Sequence, residues 1–232
     1  MQSRKTVAGI WLIALLALTG PAFAQAQQQP APKPDSLPAM IPIFPLEDAA
    51  LFPRGAQPFH IFEPRYRAMI ADALKGDRII GMVTLQPGFE ANYEGRPAVY
   101  AVGCAGVIEE VEELPDGRYN ILLRGLVKFR ITGEDQSRAY RLARVTAMPE
   151  LPDAEQKAAL RKQRQRLEGL VKGPDLSSGI PPDVADEEVV DALAQYVPLD
   201  PSERQALLEL DGTLARAQAL VDLLESKSKP PR

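Results

Sequence analysis

The sequence has one cysteine and one histidine among its 232 residues. A single thiol, that of Cys104, cannot form an internal disulfide. A single imidazole, that of His60, excludes a metal site built from several histidines. The chain also lacks a G-x-x-x-x-G-K-[ST] segment, the loop that cradles nucleotide phosphates. We therefore expect neither a metal nor a nucleotide, and no other cofactor.

The N-terminus has the three parts of a secretory signal peptide. A basic pair precedes an apolar run over residues 7–18, which is shorter than the roughly 20 residues of a membrane-spanning helix. Small residues follow, and the pattern Ala-x-Ala places cleavage between Ala24 and Gln25. We expect residues 1–24 to be removed and the protein to be exported, either periplasmic or secreted. The alternative is an uncleaved apolar anchor.

Charge and composition describe the mature protein. The formal net charge is -4, and loss of the two basic residues of the signal peptide gives -6. An acidic protein is a poor partner for nucleic acid or an anionic membrane. Residues 25–40 are rich in Gln, Pro and Ala and should be a disordered linker, and residues 227–232 a disordered tail. The patterning between them predicts a β domain over 41–149 and a helical subdomain over 150–226.

The β domain should contain several strands. Residues 41–46 are apolar, but Pro42 and Pro45 remove two backbone donors, which favours an edge or terminal strand. Further strands are predicted over residues 57–62, 78–85 and 138–147. The last of these would close the sheet.

One helix interrupts these strands. Pro64 suits the first turn of a helix, and Gly76 should end it. Apolar side chains recur at helical spacing between them and predict one buried stripe, made of Tyr66, Met69, Ile70, Ala73 and Leu74.

The clearest local signal is a long β-hairpin. Two β-rich runs, 107–114 and 118–131, flank an Asp-Gly pair, whose turn requires a positive φ. In the second run, apolar side chains alternate with Lys128 and Arg130, so both basic side chains should face water. Isolated glycines predict bulges that curl the sheet, at Gly103, Gly106 and Gly125.

The helical subdomain should contain four helices joined by short connections, which predicts a small antiparallel bundle. The first covers residues 157–172, and its basic residues fall all round it, as on a solvated surface. The second covers 186–197, with an inward stripe of Val189, Val190, Leu193, Tyr196 and Val197. The third begins with the capping-box pattern Asp200-Pro-x-Glu203, and the fourth covers 213–225.

Several fragments, in this order and spacing, resemble the N-terminal domain of Lon proteases. They are IPIFPL at 41–46, FPRG at 52–55, HIFEPRYR at 60–67, LPDGRY at 114–119, GLVKFRI at 125–131, PPDV at 181–184 and YVPL at 196–199. The resemblance spans nearly the whole mature protein, to about Glu225.

This resemblance implies an α+β fold, in which a PUA-like β pseudo-barrel with an inserted helix precedes a small helical bundle. It also implies recognition of protein substrates. The ATPase and peptidase parts of Lon have no counterpart in the sequence, so we expect a stand-alone, non-catalytic module. Ser177 and Ser178 lie near Lys172, but serines in a Gly/Pro-flanked loop usually serve turns and caps.

Two segments are candidate binding sites. Glu63, Arg65 and Tyr66 lie at the predicted helix start; the alternative is that Tyr66 anchors the core while the two charged residues fix the loop. The Gly/Pro-rich loop 86–97 carries Phe89 and Tyr93, which are either contact residues or folded back onto the barrel.

The remaining reactive side chains are expected to be structural. We expect His60 in an apolar strand setting, Cys104 as a buried small residue, and the acidic run Glu109-Glu-x-Glu-Glu113 as a solvated face of the hairpin.

The favoured function is therefore weak, ATP-independent binding of exposed hydrophobic segments in unfolded or partly unfolded polypeptides, or of a protein partner, as a chaperone-like or adaptor module. One rival is an enzyme of unrecognised type, such as a hydrolase, although no catalytic constellation supports it. The other is an RNA-binding module, because PUA-like domains in other proteins bind RNA and helix 157–172 is basic. Export and the acidic charge oppose the second.

Signal-peptide processing gives the first testable prediction. Because the small-residue pattern precedes Gln25, the exported protein should begin at that residue and fractionate in soluble form. Intact-mass measurement of exported material checks this. A mass that includes Met1 and the apolar run would contradict it.

Overall fold

The computed structural model describes residues 37–48, 50–88, 95–171 and 183–228. Within these ranges the protein is α+β, as predicted, with six strands and five helices. The elements are β1 (Met40–Leu46), β2 (Ala56–Ile61), α1 (Pro64–Ala73), β3 (Ile79–Thr84), β4 (Val102–Glu113), β5 (Tyr119–Asp135), β6 (Arg141–Met148), α2 (Ala154–Leu170), α3 (Asp186–Tyr196), α4 (Pro201–Glu209) and α5 (Thr213–Ser228).

The six strands form one mixed sheet. Neighbouring strands lie in the order β2-β5-β4-β3-β1-β6, and β6 also pairs with β5. β1 and β3 are parallel, and the other pairs are antiparallel. Since β6 pairs with both β1 and β5, five strands form a ring, and β2 is attached to it through β5. The predicted closing role of the last strand is confirmed.

β1 is not the edge strand that its prolines predicted. It pairs with β6 over Met40–Ile43 and with β3 over Ile43–Leu46, so each half of the strand has a partner on one side only. The Ala39 carbonyl accepts from Val145 on the β6 side, and the Leu46 carbonyl accepts from Leu85 on the β3 side. Successive residues of a strand direct their backbone N and O atoms to opposite sides. The nitrogens of Pro42 and Pro45 therefore each point to the side on which that half of β1 has no partner strand. Prolines are tolerated there because no ladder hydrogen bond is lost.

The hairpin of β4 and β5 is confirmed and is longer than predicted. Its turn is closed by Leu114 N–H donating to the Arg118 carbonyl, and Gly117 has the expected positive φ of 77°. The register shifts where Gly106 pairs with Gly125, as predicted for these two glycines, but Gly103 pairs with Phe129 in regular register, so the bulge predicted there is wrong. Gly125 lies so close to the loop after β1 that a Cβ there would stand 2.0 Å from the Phe52 carbonyl oxygen.

The helices lie where they were predicted, but some of their ends and one predicted buried side chain differ. α1 ends at Ala73, before Gly76, and the nearby residue with positive φ is Arg78 instead. Asp153 and Gln156 form a capping box that starts α2 at Ala154, three residues early. Tyr196 was predicted to be buried but is 61% exposed.

One side chain of α2 and two predicted boundaries of the folded part also differ from the prediction. Arg164 of α2 is buried rather than solvated, since its guanidinium pairs with Glu168 and Asp186. At the C-terminus, α5 continues to Ser228, so Lys227 and Ser228 are helical and not part of a disordered tail. At the other end, β1 begins at Met40, the last residue of the predicted linker.

The β domain and the helical subdomain contribute to one hydrophobic core. Leu51 and Phe52, from the loop after β1, belong to the same cluster of buried side chains as Val190 of α3 and Leu220 of α5. α2 packs against α5 and α3, and α3 packs against α5. One apolar face of the sheet is therefore buried against the helices, and a second cluster, which includes Ile43 and Phe129, is formed by strand residues alone.

Five charged side chains lie where the strands meet the helices, and we call them the charge cluster: Arg54, Lys128, Glu150, Asp191 and Arg216. Arg216 and Asp191 are fully buried and ion-paired with each other. Glu150 also pairs with Arg216, at 2.6 Å. It pairs with Lys128 at 2.7 Å. The prediction that Lys128 faces water is wrong, since its side chain is 1% exposed.

The loop after β1 joins the charge cluster through Arg54. Its Nη2 lies 2.5 Å from Asp191 Oδ2, and its backbone N–H donates to the Gly125 carbonyl at 2.8 Å. Gln195, one helical turn beyond Asp191, accepts from the Phe52 N–H at 3.2 Å. Two side chains of α3 therefore hold this loop against β5.

The two carboxyl groups of the cluster have opposite pKa shifts. Burial raises the pKa of Asp191 to about 6, although Arg216 and Arg54 oppose it. Burial also acts to raise the pKa of Glu150, but the charges and hydrogen bonds of Arg216 and Lys128 outweigh it, so that this pKa is lowered. The folded protein therefore disfavours the ionised form of Asp191 and favours the ionised form of Glu150.

Asp191 and Glu150 should therefore give opposite pH dependences. With its folded-state pKa raised, Asp191 contributes stability that is fully present below its unfolded value of 3.8 and is lost as pH rises through about 6. The stability of the wild type relative to Asp191→Asn should therefore fall across this range. Relative to Glu150→Gln, the wild type should instead lose stability as pH falls below 4.5, because that pKa is lowered.

Urea unfolding of the three proteins at a series of pH values between about 2.5 and 7.5 measures both differences. A difference between the wild type and Asp191→Asn that does not change with pH would contradict the raised pKa of Asp191.

Candidate functional site

A cleft of about 250 Å³ opens beside the first turn of α1. Three arginines line it, Arg65, Arg96 and Arg141, and we call it the arginine cleft. Its other walls are mainly apolar or aromatic and come from β1, α1, the residue after β3, the segment before β4 and the residues before β6: Pro45, Tyr66, Leu85, Pro97, Ala139 and Tyr140. The cleft therefore combines positive charge with apolar surface.

The start of α1 fixes Arg65 and Tyr66. Pro64 occupies the first turn, and the N–H groups of Tyr66 and Arg67 donate to the Glu63 carbonyl. Tyr66 is buried, with its ring edge-on to that of Phe44 at 4.6 Å. The Arg65 guanidinium lies 4.6 Å over the Tyr66 ring. This stacking sets the direction in which Arg65 points.

Arg65 is also held by a carboxylate. Its Nε donates to Glu63 Oε2 at 2.9 Å, and both side chains are about a quarter exposed. Glu63 therefore orients Arg65 from the rim of the cleft. An exposed pair of this kind adds little stability, so its effect is mainly to position the guanidinium.

Arg141 connects the cleft wall to the segment before β4. Its Nη2 and Nε donate to the carboxylate of Glu134, at 2.6 and 3.2 Å. Its Nη1 donates to the Pro97 carbonyl at 2.7 Å. All three nitrogens are thus engaged, and the role of Arg141 is to hold Pro97 in place.

Arg96 differs from the other two arginines. Its Nη2 donates weakly to the Arg138 carbonyl at 3.4 Å. Its Nη1 is shielded from solvent and has no hydrogen-bond partner in the described part of the protein. A shielded donor without an acceptor is unfavourable, by about 1–3 kcal/mol. Arg96 is the one unsatisfied cation of the cleft within those ranges.

Tyr140 forms the floor of the cleft through a contact with α1. Its hydroxyl donates to Asp72 Oδ2 at 2.9 Å, and Arg138 pairs with the same oxygen at 3.2 Å. The hydrogen bond from Tyr140, followed by that from Lys75, lowers the pKa of Asp72. Asp72 is therefore a carboxylate that fixes the residues before β6.

The structure tests where the predicted site residues lie. Arg65 and Tyr66 line the cleft, and Glu63 contacts Arg65 without lining it. Phe89 and Tyr93 are outside the described residues, as are Ala24 and Gln25 at the predicted cleavage site and Lys172, Ser177 and Ser178. The segment 95–97, which ends the predicted aromatic loop, lines the same cleft as the helix start.

The sequence reasoning missed Arg96, Ala139 and Arg141. Arg96 lies within the loop 86–97 that was selected for its aromatic residues. It is the basic residue of that loop, and this was the signal that could have identified it. Arg141 had no local signal. It reaches the cleft because β6 pairs with β1, which places it opposite Ile43.

His60 is exposed on β2, so the apolar setting predicted for it is wrong. Its Nδ1 lies 2.7 Å from Asn120 Oδ1, and Arg118 donates to its Nε2 at 3.2 Å. Asn120 in turn donates to Glu112 at 2.7 Å. Both ring nitrogens of His60 therefore contact polar side chains of the neighbouring strand and its turn.

Cys104 and the acidic run are placed as predicted. Cys104 is fully buried, and burial raises the pKa of its thiol far above the usual range. Glu109, Glu110, Glu112 and Glu113 are exposed on the hairpin. In the ranges that the structure describes, no group of three or more His, Cys, Asp or Glu side chains is arranged to hold a metal ion. No helix there is both long and apolar enough to span a bilayer.

Comparison with known proteins identifies the class. Residues 40–226 match the family of the ATP-dependent protease La (LON) substrate-binding domain, a match that covers most of the sequence. The chain belongs to this family, and the resemblance seen in the sequence is confirmed.

Individual relatives agree with this assignment. The chain is 27% identical over 201 residues to Lon protease 2 of Myxococcus xanthus and 25% identical over 197 residues to Lon protease of Escherichia coli K12. These matches cover 83% and 81% of this chain but 24% and 25% of the relatives. The chain thus spans about a quarter of the length of the curated relatives that it matches.

Solved structures share the fold. The N-terminal domain of a Mycobacterium avium complex Lon protease superposes with a TM-score of 0.64 at 18% identity, covering 80% of this chain and 98% of that one. A Lon N-terminal domain protein from Xanthomonas campestris gives 0.54 at 22% identity, covering 79% and 97%. At these identities the likeness concerns the fold alone.

Proposed function

We propose that this protein recognises exposed apolar segments of other polypeptides, without ATP and without catalysis, and that the arginine cleft is part of its contact surface. One observation carries the choice of site. The helix start and the end of the Gly/Pro-rich loop, two segments selected separately from the sequence, line one cleft. Membership of a substrate-binding family supports the choice of ligand.

The wider proposal follows the predictions made from the sequence. The ring of five strands, with α1 inserted, is a PUA-like pseudo-barrel, and α2 to α5 form a C-terminal bundle. The protein acts after export, as a chaperone-like or adaptor module. Support for the barrel comes from the pairing of β6 with both β1 and β5.

A non-catalytic role is supported by the state of the two side chains most suited to catalysis. Cys104 is buried with a raised pKa, and a thiol that stays protonated is a poor nucleophile. His60 accepts from Arg118 and contacts Asn120, so no nucleophile among the described residues is bonded to it. Nucleic-acid binding has less support, because Arg161, Arg164 and Arg166 of α2 are each paired with a carboxylate of the same protein.

The expected affinity is modest. Release without a nucleotide cycle requires a short residence time, which corresponds to a dissociation constant of about micromolar, near -8 kcal/mol. Parts of the cleft wall belong to β1, β6 and the first turn of α1, and Arg141 holds the Pro97 carbonyl in place. Little reorganisation should therefore accompany binding.

A bulky side chain at the cleft mouth should block recognition. Ala139 lines the cleft and is exposed, so Ala139→Trp fills it without entering the core. We expect this variant to bind a reduced, carboxymethylated model protein at least about tenfold more weakly than the wild type, which corresponds to about 1.4 kcal/mol. Fluorescence anisotropy with the labelled model protein measures the change.

The matched control is Ser137→Trp, which adds the same ring to the same loop at an exposed position outside the cleft. It should bind as the wild type does. Absence of binding by the wild type would overturn the proposed function. Equal binding by the two tryptophan variants would move the contact surface away from the cleft, and the pair Phe89→Ala and Tyr93→Ala would then test the adjoining loop.

A further inference from the structure

We propose that the arginine cleft binds a carboxylate of the recognised polypeptide, an inference that rests on the proposed function. The cleft has more guanidinium groups than carboxylate partners. Arg65 is paired with Glu63. Arg141 is paired with Glu134. Arg96 has no carboxylate partner among the residues that the structure describes, so a bound carboxylate would complete the set.

The available donors suit this ligand. Nη1 of Arg96 is shielded from water and makes no hydrogen bond within the described ranges. Arg65 uses only its Nε for Glu63, which leaves its two Nη groups as further donors at the rim. A guanidinium presents its N–H groups in the planar geometry that a carboxylate accepts. Arg141 is excluded as a ligand because its nitrogens already hold Glu134 and Pro97.

The apolar walls define what lies next to the carboxylate. Pro45, Leu85 and Tyr140 line the same cleft, so an apolar group can pack within reach of the arginines. Its volume of about 250 Å³ is below the roughly 300–1,000 Å³ of pockets for drug-sized ligands. The cleft therefore fits one or two side chains of a peptide. The carboxylate comes either from the C-terminus of the bound polypeptide or from one of its Asp or Glu side chains.

Labelled peptides distinguish these two sources. Three short peptides share one apolar sequence: one with a free C-terminal carboxylate, one with an amidated C-terminus, and one amidated but carrying an internal Asp. The carboxylate-bearing peptides should bind about 10- to 100-fold more tightly than the neutral one, the range expected for hydrogen bonds to a charged group. Anisotropy titrations show which of the two acids is preferred.

Substitution of Arg96 tests the donor. Arg96→Gln should remove the preference for carboxylate, so that the charged and neutral peptides bind this variant with equal affinity. The matched control is Arg130→Gln, since Arg130 is exposed on β5 and does not line the cleft. This control should keep the full preference. Circular dichroism and the urea midpoint verify that both variants are folded.

A second pair of variants introduces the ligand chemistry into the protein. Ala139→Glu places a carboxylate at the cleft wall, where it should compete with the peptide and abolish the preference. Ala139→Gln has the same shape without the charge, and we expect it to retain most of the preference. Because Ala139 is exposed, neither change disturbs the core.

The outcomes separate the two proposals. If unfolded model protein binds but the charged and neutral peptides bind equally, the carboxylate inference is wrong and the recognition function stands. A preference that persists in Arg96→Gln overturns the inference as well. If neither the model protein nor any peptide binds, both proposals fail.

Discussion

The charge cluster is the constraint on which the rest of this structure depends. Arg216, Lys128 and Asp191 are almost completely inaccessible to water, and burying such charges is costly unless every partner is present. The partners come from five segments: the loop after β1, β5, the residue group between β6 and α2, α3 and α5. Each segment must therefore be in place before the others are satisfied. We infer that the cluster contributes specificity of assembly more than net stability.

The cluster also determines where the arginine cleft forms. Arg54 and Gln195 hold the loop between β1 and β2, and this loop sets the direction in which β2 leaves the ring. β2 leads directly into Glu63 and α1, whose first turn supplies Arg65 and Tyr66. The opposite wall comes from the residues before β6, which is paired to β1. The cleft is thus formed by segments that the closed sheet already fixes.

The sequence predicted the elements well because apolar periodicity is a local property. The helix stripe from Tyr66 to Ala73, the hairpin with its Asp-Gly turn, and the capping box at Asp200 each depend on residues a few positions apart, and all were found. The errors at Lys128, Arg164 and Tyr196 have one physical origin. A periodic pattern assigns charged side chains to water and aromatic ones to the core, whereas Lys128 is buried and paired with Glu150, which lies between β6 and α2. Partners that are distant in sequence leave no local signal.

The residues of the arginine cleft were also only partly predictable, because some of them are brought together by pairing between distant segments. Arg65 and Tyr66 were predictable from a helix start, but Arg141 reaches the cleft only through the register of β6 on β1.

Among the described residues, the large apolar side chains that are well exposed are Phe62, Val111, Leu151 and Tyr196, and they belong to four separate segments. Within those residues, an apolar segment of another polypeptide is therefore better matched by a small cleft than by one broad apolar surface. We infer that the arginine cleft would select an apolar side chain beside a hydrogen-bond acceptor, because the shielded Nη1 of Arg96 has no acceptor within the described part of the protein.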